Sequence, residues 1–184
     1  HTVELLPSKG SGNRNYQGPA WYRKTFTIPS EFGDRHAVLH FEAVMGKQSV
    51  WVNGQKVQDN LGGYLPFEVD LTACGVKPGQ NCTVALLADN SDDRSYPPGK
   101  TQYTLDFTYH GGIYRDVWLL GIPEVHVTRA STAGKIAGGG VFIHYDAVSR
   151  EKASMTVDTD LGNFGKKTRR ISLRTRILSP DGTP

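Results

Sequence analysis

Apolar and polar residues alternate through most of the chain. WYRKTFTI (Trp21 to Ile28) alternates and stops at Pro29, which predicts a strand with a defined end. HAVLHFEAV (His36 to Val44) sets Val38, His40 and Glu42 on one face and Ala37, Leu39, Phe41 and Ala43 on the other. SVWVNGQKV (Ser49 to Val57) carries Asn53-Gly54 between β-formers. That pair predicts a hairpin, because a type I′ turn needs positive φ at both central positions. LGGYLPFEVDLT (Leu61 to Thr72) predicts a Gly-Gly turn followed by a strand, and the apolar run CTVALLA (Cys82 to Ala88) predicts a central strand. A long polar loop, DNSDDRSYPPGK (Asp89 to Lys100), follows it; loops of this length on a compact β scaffold often bind ligands. DFTYHGGIYRDVWLL (Asp106 to Leu120) closes the series as a Gly-Gly turn and a buried strand. No helical period is visible, so the chain predicts an all-β fold.

The pattern restarts after Gly121-Ile122-Pro123. VHVTRAS, VFIHYDA, ASMTVDTD and RRISLRTRIL read as short strands separated by turn signals, as in a β-sandwich. This predicts two domains, residues 1–122 and 123–184. Only about 60 residues follow the boundary, against about 100 for an immunoglobulin-like domain, so the second is expected to be incomplete. Asp181-Gly182 reads as a turn before a further strand, and the chain reads as a segment of something longer.

Composition changes this picture little. The 21 glycines and 10 prolines among 184 residues fit a turn-rich β protein. A formal net charge of +3 is too small to predict nucleic-acid binding, and KKTRR (Lys166 to Arg170) reads as a solvated loop or strand end. No apolar run approaches the roughly 18 residues that cross a membrane as a helix. The two cysteines, Cys74 and Cys82, flank a turn-rich loop; free thiols are the expectation and a disulfide is the alternative.

The ordered set WYRKTFTIP, VWVNGQKV, GGYLPFEVDLT, KPGQN, DN and GGIYRDVWLL resembles the N-terminal sugar-binding domain of family 2 glycoside hydrolases, which include β-galactosidases, β-glucuronidases and β-mannosidases. The resemblance runs from Pro19 to Leu120. From Glu124 the chain resembles the start of the immunoglobulin-like domain that follows in that family. The resemblance implies a jelly-roll, galactose-binding-like sandwich and then a truncated immunoglobulin-like sandwich. It also implies a separate (β/α)8 barrel whose two glutamates perform retaining hydrolysis, one as acid and one as nucleophile. On that reading this chain holds no catalytic residue and no cofactor of its own. Its partners would be the carbohydrate substrate and the protein's own barrel, with a homo-oligomer left open and with no nucleic acid or membrane. A periplasmic or secreted location follows by analogy with polysaccharide-degrading relatives.

By the same resemblance Asp106, five residues before Gly111-Gly112, reaches the mouth of the active site. There it holds the sugar and ligates a monovalent cation such as sodium. A carboxylate suits both tasks, since it accepts hydroxyl hydrogen bonds and ligates hard cations through oxygen. Asn13 and Asn15, upstream of the first strand, are further substrate-binding candidates. Asp92 and Asp93 read as solvated loop charges. Arg115 and Asp116 read as buried, paired charges, Tyr114 and Trp118 as core or interface aromatics, and His110 as a packing residue. Tyr96 beside Pro97-Pro98 would stack on a sugar if it were exposed. Two other roles compete with the sugar-subsite reading: a stand-alone carbohydrate-binding module, marked by a row of exposed aromatics on one sheet face, and a purely architectural domain.

Overall fold

The computed structural model describes residues 17–107, 109–136 and 138–183. Nine strands form the first part: β1 (Pro19–Thr27), β2 (His36–Phe41), β3 (Val44–Met45), β4 (Lys47–Val52), β5 (Gln55–Leu61), β6 (Phe67–Asp70), β7 (Asn81–Asp89), β8 (Gly112–Ile113) and β9 (Val117–Ile122). Four follow: β10 (Val125–Val127), β11 (Val141–Val148), β12 (Ala153–Thr159) and β13 (Leu161–Asn163). Helical structure among the described residues is limited to two 3-10 turns, Ser30–Phe32 and Gln102–Thr104.

Two antiparallel sheets face each other in the first part. One has the order β1-β7-β4-β5 and the other β6-β2-β9, and β3 pairs with β8 beside them. The core lies between the sheets. Val50, Val52, Cys82, Val84, Leu86 and Ala88 point inward from one sheet to meet Ala37, Leu39, Phe41, Phe67 and Val69 of the other. Phe41 and Phe67, directly paired across β2 and β6, stack at 4.7 Å. β7 is central, hydrogen-bonded to β1 on one side and β4 on the other. The Asn53-Gly54 hairpin forms as its sequence predicts, with φ of 49° and 85° at the two central residues.

β2 is buried on both faces. Val38 is enclosed, although alternation places it opposite the core residues. Residues beyond Ile122 cover that outer face. Arg129 pairs with Glu68, whose Oε1 also lies 2.8 Å from His40 Nδ1. Phe164 stacks between His36 at 4.2 Å and His126 at 4.5 Å, while His36 Nδ1 meets Asp70 Oδ2 at 3.1 Å. The later strands pair only among themselves, β10 with β13 and β11 with β12.

Three expectations fail. β9 is an edge strand rather than a buried one: Val117 and Trp118 are 39% and 51% exposed, and the Trp118 indole donates to Glu42 Oε1 at 2.9 Å. Arg115 and Asp116 precede β9 and are exposed, so no buried charge needs a partner there. RRISLRTRIL is not a strand. Its apolar residues Ile171, Leu173, Ile177 and Leu178 are exposed, because alternation supplies a face but no partner strand. The cysteines are free thiols, as expected, with Cys82 fully buried.

Candidate functional site

Asp106 lies on the segment between the 3-10 turn Gln102–Thr104 and β8. Its side chain is exposed and makes no hydrogen bond or ion pair among the described residues. The backbone beneath it is held firmly. Leu105 and Tyr109 bracket Asp106 and bury themselves against Met45 in a second, smaller core, with Tyr114 packed alongside. The Tyr114 hydroxyl donates to the Gly63 carbonyl at 2.5 Å, tying this segment to the Gly62-Gly63 turn.

Buried amide side chains brace the same region. Gln102 donates from its backbone N to Asp92 Oδ1 at 2.8 Å and from Nε2 to the Asn90 carbonyl at 2.5 Å. Asn90 Oδ1 accepts from Gly18 N at 2.8 Å. Gly18 thus anchors the start of β1 to the loop that leads to Asp106. Gln48 Nε2 lies 2.8, 2.6 and 2.9 Å from the carbonyl oxygens of Val44, Gly46 and Gly62, so its two N–H groups are shared among three acceptors. Such carbonyls would cost about 1–3 kcal/mol each if buried without a donor.

The polar loop is pinned as well. Lys47 Nζ lies 2.6 Å from Asp93 Oδ2, and Ser95 N donates to Asp93 Oδ1 at 2.8 Å. The hydrogen bond from Lys47 holds the Asp93 carboxyl far below the usual carboxylate range, and the same bond raises Lys47. Asp92 is exposed, as a solvated loop charge would be, and it also accepts from Gln102; Asp93 is partly covered and paired with Lys47. Tyr96 is buried, so it presents no ring to a ligand. Burial, followed by interaction with Tyr96, pushes the Tyr109 phenol well above the usual tyrosine range, and it stays neutral.

The structure therefore brings one sequence-predicted residue, Asp106, to an exposed position on a rigid support. Asn13 and Asn15 lie outside the described residues. His110 is exposed. No group of three or more His, Cys, Asp or Glu side chains that could hold a metal ion occurs among the described residues. Asp106 by itself supplies one carboxylate ligand. The residues that sequence reasoning missed are Gln48, Asn60, Asn90 and Gln102. Gln48 was findable: in KQSVWV it shares the inward parity of Val50 and Val52, and a polar residue at an inward position signals a buried hydrogen-bond network.

The family model for "Glycosyl hydrolases family 2, sugar binding domain" matches residues 6–123. The chain belongs to this family. A β-galactosidase of Thermoanaerobacter pseudethanolicus is 27% identical over 183 residues, covering 99% of this chain and 22% of that protein. A β-glucuronidase of Formosa agariphila is 27% identical over 176 residues, covering 92% of this chain and 17% of that protein. Among solved structures, Bacteroides uniformis β-glucuronidase 2, covalently bound to cyclophellitol-6-carboxylate aziridine, superposes with a TM-score of 0.68 at 30% identity, covering 81% of this chain and 17% of that one. The chain thus spans about a fifth of the length of the curated relatives it matches. The all-β sandwich is the architecture that the family resemblance implied.

Proposed function

We propose that this chain is the non-catalytic sugar-binding part of a retaining exo-glycosidase, a β-galactosidase first and a β-glucuronidase or β-mannosidase second. The family match over residues 6–123 carries the reading, supported by a β-galactosidase relative that aligns with 99% of the chain. A β-glucuronidase relative of equal identity is the reason for keeping the second sugar. The bond-breaking carboxylates would belong to another part of the protein. The division into residues 1–122 and 123–184 is part of the same proposal, supported by strands β10 to β13 pairing only with each other.

Within this reading Asp106 meets the sugar. What supports it is an exposed carboxylate with no partner among the described residues, set between two buried anchors, Leu105 and Tyr109. Rigid support lets a carboxylate accept two hydroxyl hydrogen bonds without losing side-chain freedom at the moment of binding. A monovalent cation would receive a single side-chain donor from this region, and the reading does not depend on one.

The test is Asp106→Asn in the full-length protein, assayed on aryl β-galactoside, β-glucuronide and β-mannoside. A charge-assisted hydrogen bond of about 1.5–3 kcal/mol corresponds to a loss of roughly ten- to a hundredfold in kcat/KM on the preferred sugar. An unchanged kcat/KM with an unchanged melting temperature would remove Asp106 from the site and favour the architectural role.

A further inference from the structure

The solvent face of the four-stranded sheet carries a feature unconnected with Asp106. The register sets two rows of side chains across it. Trp21, Leu87, Ser49 and Asp59 align through β1, β7, β4 and β5, and Arg23, Ala85, Trp51 and Lys56 align in the next row. The two tryptophans sit diagonally, with ring centroids 4.9 Å apart and planes inclined by 43°. Between them, Ala85 and Leu87 keep the floor low and apolar. Trp21 is 64% exposed. Indole on the outer face of a sheet is expensive to leave in water, and it is the side chain best suited to bind the apolar C–H face of a pyranose ring.

Trp51 is half-buried, and Lys56 Nζ lies over its ring, 5.8 Å from the centroid and 2.8 Å from Asp59 Oδ1, so Trp21 is the exposed member of the pair. Asp59 Oδ1 also accepts from Ser49 Oγ at 2.5 Å. Lys56 is thus neutralised by Asp59. Arg23 is exposed and makes no ion pair among the described residues, which leaves the patch with one uncompensated positive charge. A guanidinium with free donors matches a carboxylate in bidentate geometry. A pyranose with one apolar face and a carboxylate at its edge satisfies both halves of this surface.

We propose that Trp21, Trp51 and Arg23 form a secondary glycan-binding platform for uronic-acid-containing polysaccharide. Trp21 stacks on the sugar face, Trp51 supports the Trp21 ring from beside it, and Arg23 pairs with a uronate carboxylate. The platform would hold polymeric substrate near the enzyme without contributing to bond cleavage. The reading rests on the family assignment only for the choice of ligand class and is independent of the role of Asp106.

The test is native electrophoresis of the full-length protein through gels containing soluble polygalacturonate, neutral β-galactan or polyglutamate. The expected result is retardation in polygalacturonate alone, weakened about tenfold or more by Trp21→Ala and by Arg23→Gln. Asp106→Asn should leave the retardation intact, so failure here and failure of the active-site reading are distinguishable. Thermal melts confirm folding of both variants, and the charge-removing change at the exposed Arg23 carries the test if Trp21→Ala does not fold. Equal retardation in polyglutamate would mean non-specific charge and would overturn the proposal. So would equal retardation in β-galactan, indifference to Arg23→Gln, or absence of retardation. Sedimentation showing a dimer that Trp21→Ala dissociates would assign the face to a second copy and overturn it as well.

Discussion

Asn60 donates from Nδ2 to Gln48 Oε1 at 2.6 Å, and this bond from β5 to β4 fixes the orientation of the Gln48 amide. With its oxygen so engaged, Gln48 turns Nε2 toward the Val44, Gly46 and Gly62 carbonyls. Gly46 and Gly62 also exchange backbone hydrogen bonds at 3.0 Å, so the Val44 carbonyl depends most on the side chain. Gln48→Met keeps the shape and removes the donors. It should destabilise the protein by about 2–4 kcal/mol, read as a lower denaturant midpoint at unchanged slope. Asn60→Ala should cost less, about 1 kcal/mol, because the Gln48 donors would remain in place. Equal losses from the two changes would mean that the network is held from β5 rather than by Gln48.

Gly112 packs closely against Tyr22 near the Asp106 segment. Gly112 has φ of +70°, and a Cβ there would lie 1.9 Å from the Tyr22 hydroxyl oxygen. Gly112→Ala therefore combines left-handed strain with a steric clash and should cost about 2–4 kcal/mol. Removing the hydroxyl with Tyr22→Phe should restore part of that loss, since only the steric share is relieved. A double mutant no more stable than Gly112→Ala alone would assign the whole cost to the backbone. If Asp106 binds sugar, Gly112→Ala should also raise KM, because β8 fixes one end of its loop.

These contacts show where the sequence stopped being informative. Asn53-Gly54 was legible because its turn geometry is decided by two adjacent residues. β7 was legible because an apolar run fits a central strand, and both neighbouring strands were visible. The placement of β9 was not, since pairing on one edge or two is a property of the whole sheet, and GGIYRDVWLL reads the same either way. The Asp93 pairing was not legible for a similar reason: Lys47, which pins it, is 46 residues earlier and on another element. Asp106 itself was found by resemblance to a family. Its physical setting, between Leu105 and Tyr109, became apparent only when Met45 was seen packed beneath them.

The two thiols give a chemical check on the core. Burial raises the Cys82 thiol above its ordinary pKa, and the neighbouring Cys74 adds to the shift; burial likewise raises Cys74, with Asp70 adding to it. Because the thiolate is the reactive species, both should alkylate slowly in native protein at pH 7–8. Cys82, with no exposed surface, should react only through opening of the sandwich. Rapid labelling of Cys82 under native conditions would contradict the packing of β7. Cys82→Ser should destabilise by about 1–3 kcal/mol, since it places a hydroxyl in an apolar site.

The contact between Glu68 and Arg129 gives the protein a pH dependence of predictable sign. Burial pushes the Glu68 carboxyl up, but hydrogen bonds from Arg129 and His40 outweigh it, and the group titrates below its ordinary range. An unfolded glutamate titrates near 4.3. On acidification the unfolded state therefore takes up the proton first, so stability falls as pH falls. The stabilisation is complete above the unfolded value and vanishes once pH has passed through the lower folded one. Glu68→Gln abolishes this titration. Near neutrality it should be less stable than wild type by about 1–3 kcal/mol, the value of charge-assisted hydrogen bonds at a largely covered site. The gap should narrow as the pH is lowered from 5 toward 3, measured by denaturant titration at each pH in moderate salt. Arg129→Gln should show the same narrowing, because it removes the other half of the pair. It should also loosen the segment that carries Phe164, read as faster amide exchange across β10 and β13. A gap that stays constant down to pH 3 would mean that Glu68 titrates as an ordinary carboxylate and that the covering of β2 does not depend on its charge.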